Sequence, residues 1–275
     1  MSSFGSRLSR AFSEFGQLCV GIDPSSEQLA SWNLPDSAEG AKRFAFEILE
    51  GCRNRVGIVK PQVAFFEQFG PSGLAVLSEV LELAKSSGLI VIADAKRGDI
   101  GSSMTGYTRG WLAAEGAFQT DALTLNPFLG LESLRPAIET AIENAKGVFL
   151  LAATSNPEAA LIQRASTPTG SIASQVSSFA AKFNQVELGS VGLVVGATVS
   201  LKESGLSLGS FPNTPILMPG FGAQGVKLAQ TRSLFGDLTP NLVCSVSRSV
   251  AGESKAGLVD RVDAAILELS QGVSE

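Results

Sequence analysis

The chain of 275 residues contains no histidine. Ser-His-Asp and Cys-His catalysis are therefore excluded, and so are zinc or iron sites that depend on imidazole ligands. Any proton transfer has to use lysine, aspartate, glutamate, tyrosine or water. Because no carboxylate cluster has metal-like spacing either, we expect the protein to work without a bound metal ion.

Cysteine is scarce as well, since the chain has only Cys19, Cys52 and Cys244. No two of them form a Cys-x-x-Cys pair, so neither a zinc ribbon nor a redox motif is indicated. Cys19 and Cys244 lie inside apolar runs, where a cysteine usually packs as a small core side chain. This usage fits a reducing environment best, and we expect a cytoplasmic protein.

Long apolar runs and an excess of positive charge are both missing. No apolar run approaches the roughly 18 residues that a membrane-spanning helix needs, so we expect no membrane partner. The formal net charge is −5, whereas non-specific nucleic-acid binding requires clustered lysine and arginine. We therefore expect no nucleic-acid partner, although a few local cations are enough to bind a small anionic substrate.

Eight short apolar segments recur along the chain and predict parallel strands buried on both faces. They cover residues 17–23, 56–60, 89–96, 120–126, 147–154, 191–198, 215–220 and 242–248. Helical patterns lie between them, and this strict alternation is typical of a parallel α/β fold. Eight repeats in about 250 residues favour a single (β/α)₈ barrel over residues 1–275, with a doubly wound open sheet as the alternative.

The N-terminal segment before the first strand allows two interpretations. It is rich in serine and arginine and has no acidic residue before Glu14, as in a transit peptide. The favoured interpretation rests on Phe4, Leu8, Phe12 and Phe15, which recur at helical spacing. They predict an amphipathic helix over about residues 4–16 that packs under the barrel.

Polar residues stand at the ends of several predicted strands, where barrel enzymes place their active sites. In strand three, side-chain alternation puts Ile90, Ile92, Asp94 and Lys96 on one face and Ala93 and Ala95 on the other. We expect Asp94 and Lys96 to point into the barrel mouth beside Lys60 of strand two. Such charges could form ion pairs that only hold the barrel, but buried pairs are weak stabilisers. A functional site is therefore the favoured interpretation.

Five segments, in the order found here, resemble the orotidine 5'-phosphate decarboxylase family from about residue 4 to the end. The strongest is Asp94-Ala-Lys96-Arg-Gly-Asp99, which is similar to the Asp-x-Lys-x-x-Asp signature of that family. The others are Cys19-Val-Gly-Ile-Asp23-Pro24, Lys60-Pro-Gln-Val-Ala-Phe-Phe-Glu67, Pro219-Gly-Phe-Gly-Ala-Gln224-Gly225 and Ser247-Arg248-Ser249. The resemblance implies a barrel enzyme without a cofactor that converts orotidine 5'-monophosphate to uridine 5'-monophosphate.

The resemblance also implies the catalytic roles. Lys96 corresponds to the lysine that stabilises and protonates C6 of the pyrimidine, and Asp94 to the aspartate placed against the departing carboxylate. Lys60 corresponds to the lysine that extends the charge network and touches the ribose. Asp99 corresponds to the aspartate that family homodimers donate across the interface into the partner's site.

The remaining implied contacts hold the nucleotide. Asp23 corresponds to a ligand of a ribose hydroxyl, and Gln224 and Arg248 to the residues that hold the 5'-phosphate. Ser155 corresponds to the serine that hydrogen-bonds the pyrimidine, but Thr154 beside it is an alternative match.

The segment from Gly220 to Gly225 also fits Gly-x-Gly-x-x-Gly. A dinucleotide-binding fingerprint should open the first βαβ unit, whereas this segment follows strand seven. We therefore predict that the backbone around Gly220 and Gly222 binds phosphate, as in many barrels. A plain turn is the alternative.

One departure from the family pattern is Arg97-Gly98, because many members have an aromatic residue after the catalytic lysine. A subgroup with Lys-Arg-Gly-Asp accounts for it, and Gly98 could reshape the turn that delivers Asp99. Other functions remain as alternatives: a sugar-phosphate decarboxylase or aldolase on a related barrel, and a non-catalytic nucleotide-binding protein. A Schiff-base aldolase is disfavoured, because flanking aspartates would keep the lysine protonated.

Overall fold

The computed structural model describes residues 2–185, 187–222 and 225–274. Its strands are β1 (Leu18–Ile22), β2 (Ile58–Pro61), β3 (Ile90–Arg97), β4 (Ala122–Leu125), β5 (Gly147–Ala153), β6 (Ser166–Thr167), β7 (Gly170–Ser171), β8 (Val191–Val195), β9 (Ile216–Pro219) and β10 (Leu242–Val246).

Eight of these strands form a closed parallel barrel in the order β1-β10-β9-β8-β5-β4-β3-β2. The barrel closes because β1 pairs with β2 on one side and with β10 on the other. The remaining two, β6 and β7, form a small antiparallel hairpin between β5 and β8. The predicted (β/α)₈ barrel is confirmed, and the open doubly wound sheet is excluded by this closure.

Helices alternate with the barrel strands. They are α1 (Phe4–Phe15), α2 (Ser26–Ser31), α3 (Ala38–Cys52), α4 (Ala64–Glu67), α5 (Gly70–Ser86), α6 (Gly101–Trp111), α7 (Arg135–Glu143), α8 (Ala160–Gln163), α9 (Ile172–Ala181), α10 (Thr231–Phe235), α11 (Arg248–Ala251) and α12 (Leu258–Ser274). Short 3₁₀ helices lie at Pro127–Leu129, Glu132–Leu134, Pro157–Ala159, Leu208–Ser210, Leu228–Gln230 and Gly236–Asn241. Within the described ranges, no helix is both long and apolar enough to cross a membrane.

Alternating strand side chains divide the core into two parts. Residues such as Ile90, Ile92 and Phe149 fill the barrel interior. Val91, Ala93 and many others pack between the strands and the outer helices. The faces of β3 are therefore those that the sequence predicted, with isoleucines inside and alanines under the helices.

Helix α1 closes the N-terminal end of the barrel. Ser3 caps it, because its hydroxyl accepts a hydrogen bond from the Ser6 backbone N–H at 3.1 Å. Phe4 is fully buried and meets Phe149 edge-on, with ring centroids 6.0 Å apart. The Phe4 ring leaves no room for a side chain at position 147, because a Cβ added to Gly147 would lie 2.4 Å from that ring.

We expect Phe4→Ala to lower the free energy of unfolding by about 3–5 kcal/mol, because it removes a buried ring and leaves a cavity between α1 and β5. Urea denaturation would measure the loss. Leu267→Ala is the control, since Leu267 is 60% exposed on α12 and its removal should cost little. Equal losses in the two variants would mean that α1 does not contribute to the barrel core.

Candidate active site

Strand β3 is irregular where its charged residues lie. It pairs with β4 at Ala93 and Leu123, but its next partner pair is Arg97 and Leu125, so β3 carries a bulge between them. Within the bulge, Lys96 has φ +49°, in the left-handed region that non-glycine residues rarely adopt. Bulges often redirect side chains next to active sites.

A lysine–aspartate–lysine array lies beside the bulge at the C-terminal end of the barrel. Lys96 Nζ donates to Asp94 Oδ1 at 2.7 Å, and Lys60 Nζ donates to Asp94 Oδ2 at 3.2 Å. Asp94 is 13% exposed and Lys60 7%, whereas Lys96 is 44% exposed. One carboxylate therefore lies between two ammonium groups, and only the outer ammonium is accessible to a substrate.

Each charge in the array stabilises its neighbour. Burial tends to raise the pKa of Asp94, but Lys60 and Lys96 outweigh burial and lower it to about 2. Burial likewise tends to lower the pKa of Lys60, but Asp94 and Asp23 raise it above its usual value. Asp94 and Lys60 thus both remain ionised at neutral pH.

Two polar residues that the sequence analysis did not single out complete the array. The buried Thr124 hydroxyl donates to Asp94 Oδ1 at 3.0 Å and accepts the Lys96 backbone N–H at 2.9 Å. The Gln62 side-chain amide lies 3.4 Å from Lys96 Nζ. Inward alternation along β4 was the available signal for Thr124, but a lone threonine in an apolar strand carries no functional pattern.

The Arg97-Gly98 departure has a local explanation. The Arg97 guanidinium pairs with Glu67 at the end of α4 and lies 5.5 Å from the Tyr107 ring of α6. A Cβ added to Gly98 would lie 2.2 Å from the Asn126 backbone oxygen, so no side chain fits there. Arg97 therefore ties the end of β3 to two neighbouring helices, while Gly98 lets the chain pass the loop after β4.

Asp99 stands apart from the array of its own chain. Its Oδ1 accepts the backbone N–H of Ile100 at 2.8 Å. Among the described residues it makes neither a hydrogen bond nor an ion pair with Lys96. The structure therefore brings Lys60, Asp94 and Lys96 together and leaves Asp99 beside them at the start of α6.

The predicted ribose ligand, Asp23, lies directly after β1. Its Oδ1 is buried and lacks a hydrogen-bond partner within the described part of the chain. Leaving a buried carboxylate oxygen unsatisfied costs free energy, so this atom is a ready acceptor for a ligand hydroxyl.

The two candidates for the pyrimidine contact, Thr154 and Ser155, differ in their surroundings. Thr154 is already hydrogen-bonded to Gln163. The Gln163 Oε1 accepts the Thr154 backbone N–H at 2.8 Å, and its Nε2 donates to the Thr154 hydroxyl at 3.0 Å. Ser155 is exposed and borders a cavity of about 90 Å³ with Thr154 and Gln163. Ser155 thus has the more available hydroxyl.

The predicted phosphate residues come from two loops that meet. Gly222 has φ +73°, and a Cβ there would lie 2.7 Å from Ser249 Oγ, so the loop after β9 contacts the start of α11. Gly220, with φ +112°, opens that loop. Gln224 lies outside the described residues.

Arg248 does not end β10 as the sequence predicted. The strand stops at Val246, and Ser247 (φ −137°, ψ −80°) turns the chain so that Arg248 begins α11. Its side chain is exposed, with no hydrogen bond or ion pair to any described residue. The turn therefore leaves its guanidinium free beside the loop after β9.

No three histidine, cysteine, aspartate or glutamate side chains gather as a metal site in the described ranges. Fold and geometry define a (β/α)₈-barrel protein whose charged site lies at the C-terminal ends of its strands. Residues 16–257 match the orotidine 5'-phosphate decarboxylase / HUMPS family, and the chain belongs to that family.

Similar proteins extend this match over nearly the whole chain. A Salinispora arenicola relative named orotidine 5'-phosphate decarboxylase is 44% identical, with 95% of this chain and 96% of the relative covered. A Streptomyces coelicolor relative with the same name is 45% identical, at 91% and 90% coverage. A Streptomyces avermitilis crystal structure, described as a candidate for the same enzyme, has a TM-score of 0.93 at 42% identity. The match covers 100% of this chain and 97% of that one.

We expect Asp94→Asn to lower the free energy of unfolding at pH 7 by about 3–5 kcal/mol, because it leaves the Lys60 ammonium buried without its carboxylate. The difference in the free energy of unfolding between the variant and wild type should narrow as pH falls. Asp94 has a lowered folded-state pKa, so its contribution is complete above its unfolded pKa near 4 and is lost toward pH 2.

Urea denaturation at pH 7, 5 and 3 would test this, with a narrowing of about 1 kcal/mol expected between pH 5 and 3. Glu132→Gln is the matched control. Its pair with Arg135 is exposed, so stability should change little at any pH. A pH-independent difference for Asp94→Asn would show that folding does not lower the pKa of Asp94.

Proposed function

We propose that this enzyme decarboxylates orotidine 5'-monophosphate to uridine 5'-monophosphate and CO₂, the last step of de novo pyrimidine nucleotide synthesis. The observation that carries the proposal is the array itself. In this array a buried carboxylate holds a partly exposed ammonium, and a second ammonium balances the carboxylate. Such an arrangement suits a reaction in which negative charge develops on carbon. Relatives at 44–45% identity bear the name of this activity.

The chemistry demands such an array. When the bond from C6 to the carboxylate breaks, its electron pair stays on C6 in the plane of the ring, where the π-system delocalises it poorly. In this proposal no cofactor serves as an electron sink, so the protein has to stabilise the charge electrostatically. Lys96 would stabilise the carbanion and then give a proton to C6, and water would later reprotonate the amine.

Asp94 has two roles in this proposal. It aims Lys96, because its Oδ1 accepts a hydrogen bond from the Lys96 ammonium at 2.7 Å. It also lies where the substrate carboxylate would approach, so repulsion between the two would be relieved as CO₂ leaves. Lys60 balances Asp94 and reaches toward the ribose.

The remaining contacts would hold the nucleotide. The unsatisfied Asp23 Oδ1 would accept a ribose hydroxyl, and the available Ser155 hydroxyl would meet the pyrimidine. Gly220, Gly222, Gln224 and Arg248 would bind the 5'-phosphate, for which the guanidinium offers paired donors. Phosphate binding far from C6 could organise the site and so raise the rate as well as the affinity.

The same array disfavours Schiff-base chemistry. An amine attacks a carbonyl only when it is neutral, whereas Asp94 holds the Lys96 ammonium at 2.7 Å. A metal-dependent relative would need carboxylate ligands gathered around one point. Of the described carboxylates near the array, Asp94 is instead engaged with lysine, Glu67 with Arg97 and Asp99 with the Ile100 backbone, which leaves only the Asp23 Oδ1 atom without a partner.

We further propose a homodimer in which each chain supplies Asp99 to the partner's site. Asp99 does not reach Lys96 of its own chain, and the surface beside it is apolar. Ile100 is 61% exposed, and Phe128 and Leu129 on the adjoining loop are 69% and 52% exposed. Such large exposed side chains next to a charged site are typical of an interface.

The three free, buried cysteines support a reducing cytoplasm as the location of the protein.

The function can be tested directly by following the ultraviolet absorbance of orotidine 5'-monophosphate with EDTA-dialysed protein. We expect wild type to consume the substrate, and Lys96→Ala to lose at least a thousandfold in kcat/KM while remaining folded, because stabilisation and protonation at C6 are both removed. Circular dichroism would verify folding. Lys255→Ala is the control, because Lys255 pairs with Glu47 on the exposed surface.

Two outcomes would contradict the proposal. A Lys96→Ala variant that keeps a tenth of wild-type kcat/KM would remove Lys96 from the chemistry. Activity that disappears on dialysis and returns with Mg²⁺ or Zn²⁺ would favour the metal-dependent alternative.

Shared sites predict complementation between two inactive variants. Mixing Lys96→Ala with Asp99→Ala chains should restore activity, because each hybrid dimer holds one site with both defects and one with neither. Random exchange places about half of the chains in hybrids, so about a quarter of wild-type activity should return. The readout is the same absorbance assay after subunit exchange has been verified by mass.

The alternative is that Asp99 serves its own chain or only caps α6. Each hybrid site would then carry one defect, and mixing would restore nothing. That result would overturn the shared site and leave the decarboxylase proposal standing.

A further inference from the structure

Thr124 occupies the position where the β3 bulge interrupts the ladder with β4. Between Ala93 and Arg97 the regular pairing is lost, and the Lys96 backbone N–H is accepted by a side chain, the Thr124 hydroxyl, at 2.9 Å. Thr124 is fully buried, so water does not compete for this bond. One hydroxyl thus supports the backbone of the residue with the unusual φ of +49°.

The direction of both hydrogen bonds is determined by chemistry. A backbone N–H can only donate, so the Thr124 oxygen accepts at Lys96. An ionised carboxylate can only accept, so the single hydroxyl proton points at Asp94 Oδ1, 3.0 Å away. That carboxylate oxygen also receives Lys96 Nζ at 2.7 Å. The hydroxyl therefore connects the backbone of Lys96 to the carboxylate that holds the end of its side chain.

We propose that Thr124 is a positioning residue, whose hydroxyl sets where the Lys96 ammonium stands by fixing the Lys96 backbone and the Asp94 carboxylate together. The proposal rests on the decarboxylase function proposed above. Lys96 is 44% exposed and has four rotatable side-chain bonds, so few other contacts restrain it. Its remaining described polar contact is the longer one to Gln62, at 3.4 Å.

A positioning role differs from a packing role in its kinetic signature. If the hydroxyl aims the ammonium at C6, its loss should impair the chemical step and leave nucleotide binding nearly intact. If Thr124 only fills space in the barrel, an isosteric side chain should preserve the activity of the folded protein. Valine has almost the shape of threonine without the hydroxyl, and serine keeps the hydroxyl without the methyl group.

We expect Thr124→Val to lower kcat by about 10- to 100-fold, as is typical when a charged group loses a hydrogen bond and a buried N–H is left unsatisfied. KM and the inhibition constant of the product, uridine 5'-monophosphate, should change by less than about threefold. Thr124→Ser should recover at least about half of wild-type kcat. The acid limb of the pH profile should also move to higher pH in the valine variant, because the ionised form of Asp94 loses a donor.

Thr120→Val is the matched control. Thr120 is also buried and precedes β4 at the opposite end of the barrel. Among the described residues, its one hydroxyl proton has only backbone acceptors within reach, the oxygens of Val91 at 2.9 Å and Ala122 at 2.8 Å. The Thr120→Val variant should be less stable than wild type but keep the wild-type kcat per folded molecule. If Thr124→Val does not fold, Thr124→Ala against Thr124→Ser gives the same comparison of hydroxyl loss with hydroxyl retention.

Wild-type kcat in folded Thr124→Val, or equal losses in the serine and valine variants, would overturn the positioning role. So would a large rise in KM with kcat unchanged. Failure of the proposed function is distinguishable, because wild type itself would then leave orotidine 5'-monophosphate unconsumed.

Discussion

The placement of one carboxylate between two ammonium groups is the constraint on which the rest of the structure depends. Taking Lys60 and Asp94 out of water costs more free energy than their attraction alone reliably returns. Their burial is tolerable only because Asp94 receives lysine donors at both oxygens together with the Thr124 hydroxyl. A barrel that needed only stability would gain more from apolar side chains at these positions, so the array points to a site selected for its chemistry.

The barrel supplies the rigidity that the array requires. Adjacent parallel strands bring Lys60 and Asp94 together although they are 34 residues apart in sequence, and closure of the sheet leaves no edge at which the strands could shift. Apolar layers below the site, closed at the bottom by Phe4 of α1, exclude water from one side. The other side remains open through the exposed ammonium of Lys96, which is where a substrate has to approach.

The chain also separates two demands that conflict. Chemistry on carbon needs fixed charges, whereas nucleotide binding needs loops that can admit and release a substrate. The charges lie on β2 and β3, where Lys60 and Asp94 are largely buried and only Lys96 is open to solvent, and Thr124 and Arg97 contact this segment. The phosphate and pyrimidine candidates lie beyond the strands, on the loops around Gly222, Ser155 and Arg248. Loss of a loop contact should therefore affect binding first, and loss of a contact to the charged segment should affect rate first.

The sequence alone determined the strand and helix order and the barrel, because period-two alternation and eight repeats are local properties of the chain. The reaction class followed from the resemblance of five ordered segments to the decarboxylase family, while the absence of histidine only excluded other chemistries. The sequence also identified Lys60, Asp94 and Lys96, whose spacing forms a motif. Tertiary structure decided the β3 bulge and the contacts of Thr124 and Arg97, because these depend on which backbone groups lack a ladder partner and on which helices meet. Tertiary structure likewise decided that Arg248 begins α11 and that Gln163 hydrogen-bonds Thr154. Contacts between segments far apart in the chain leave no periodic trace, so only the folded chain shows them.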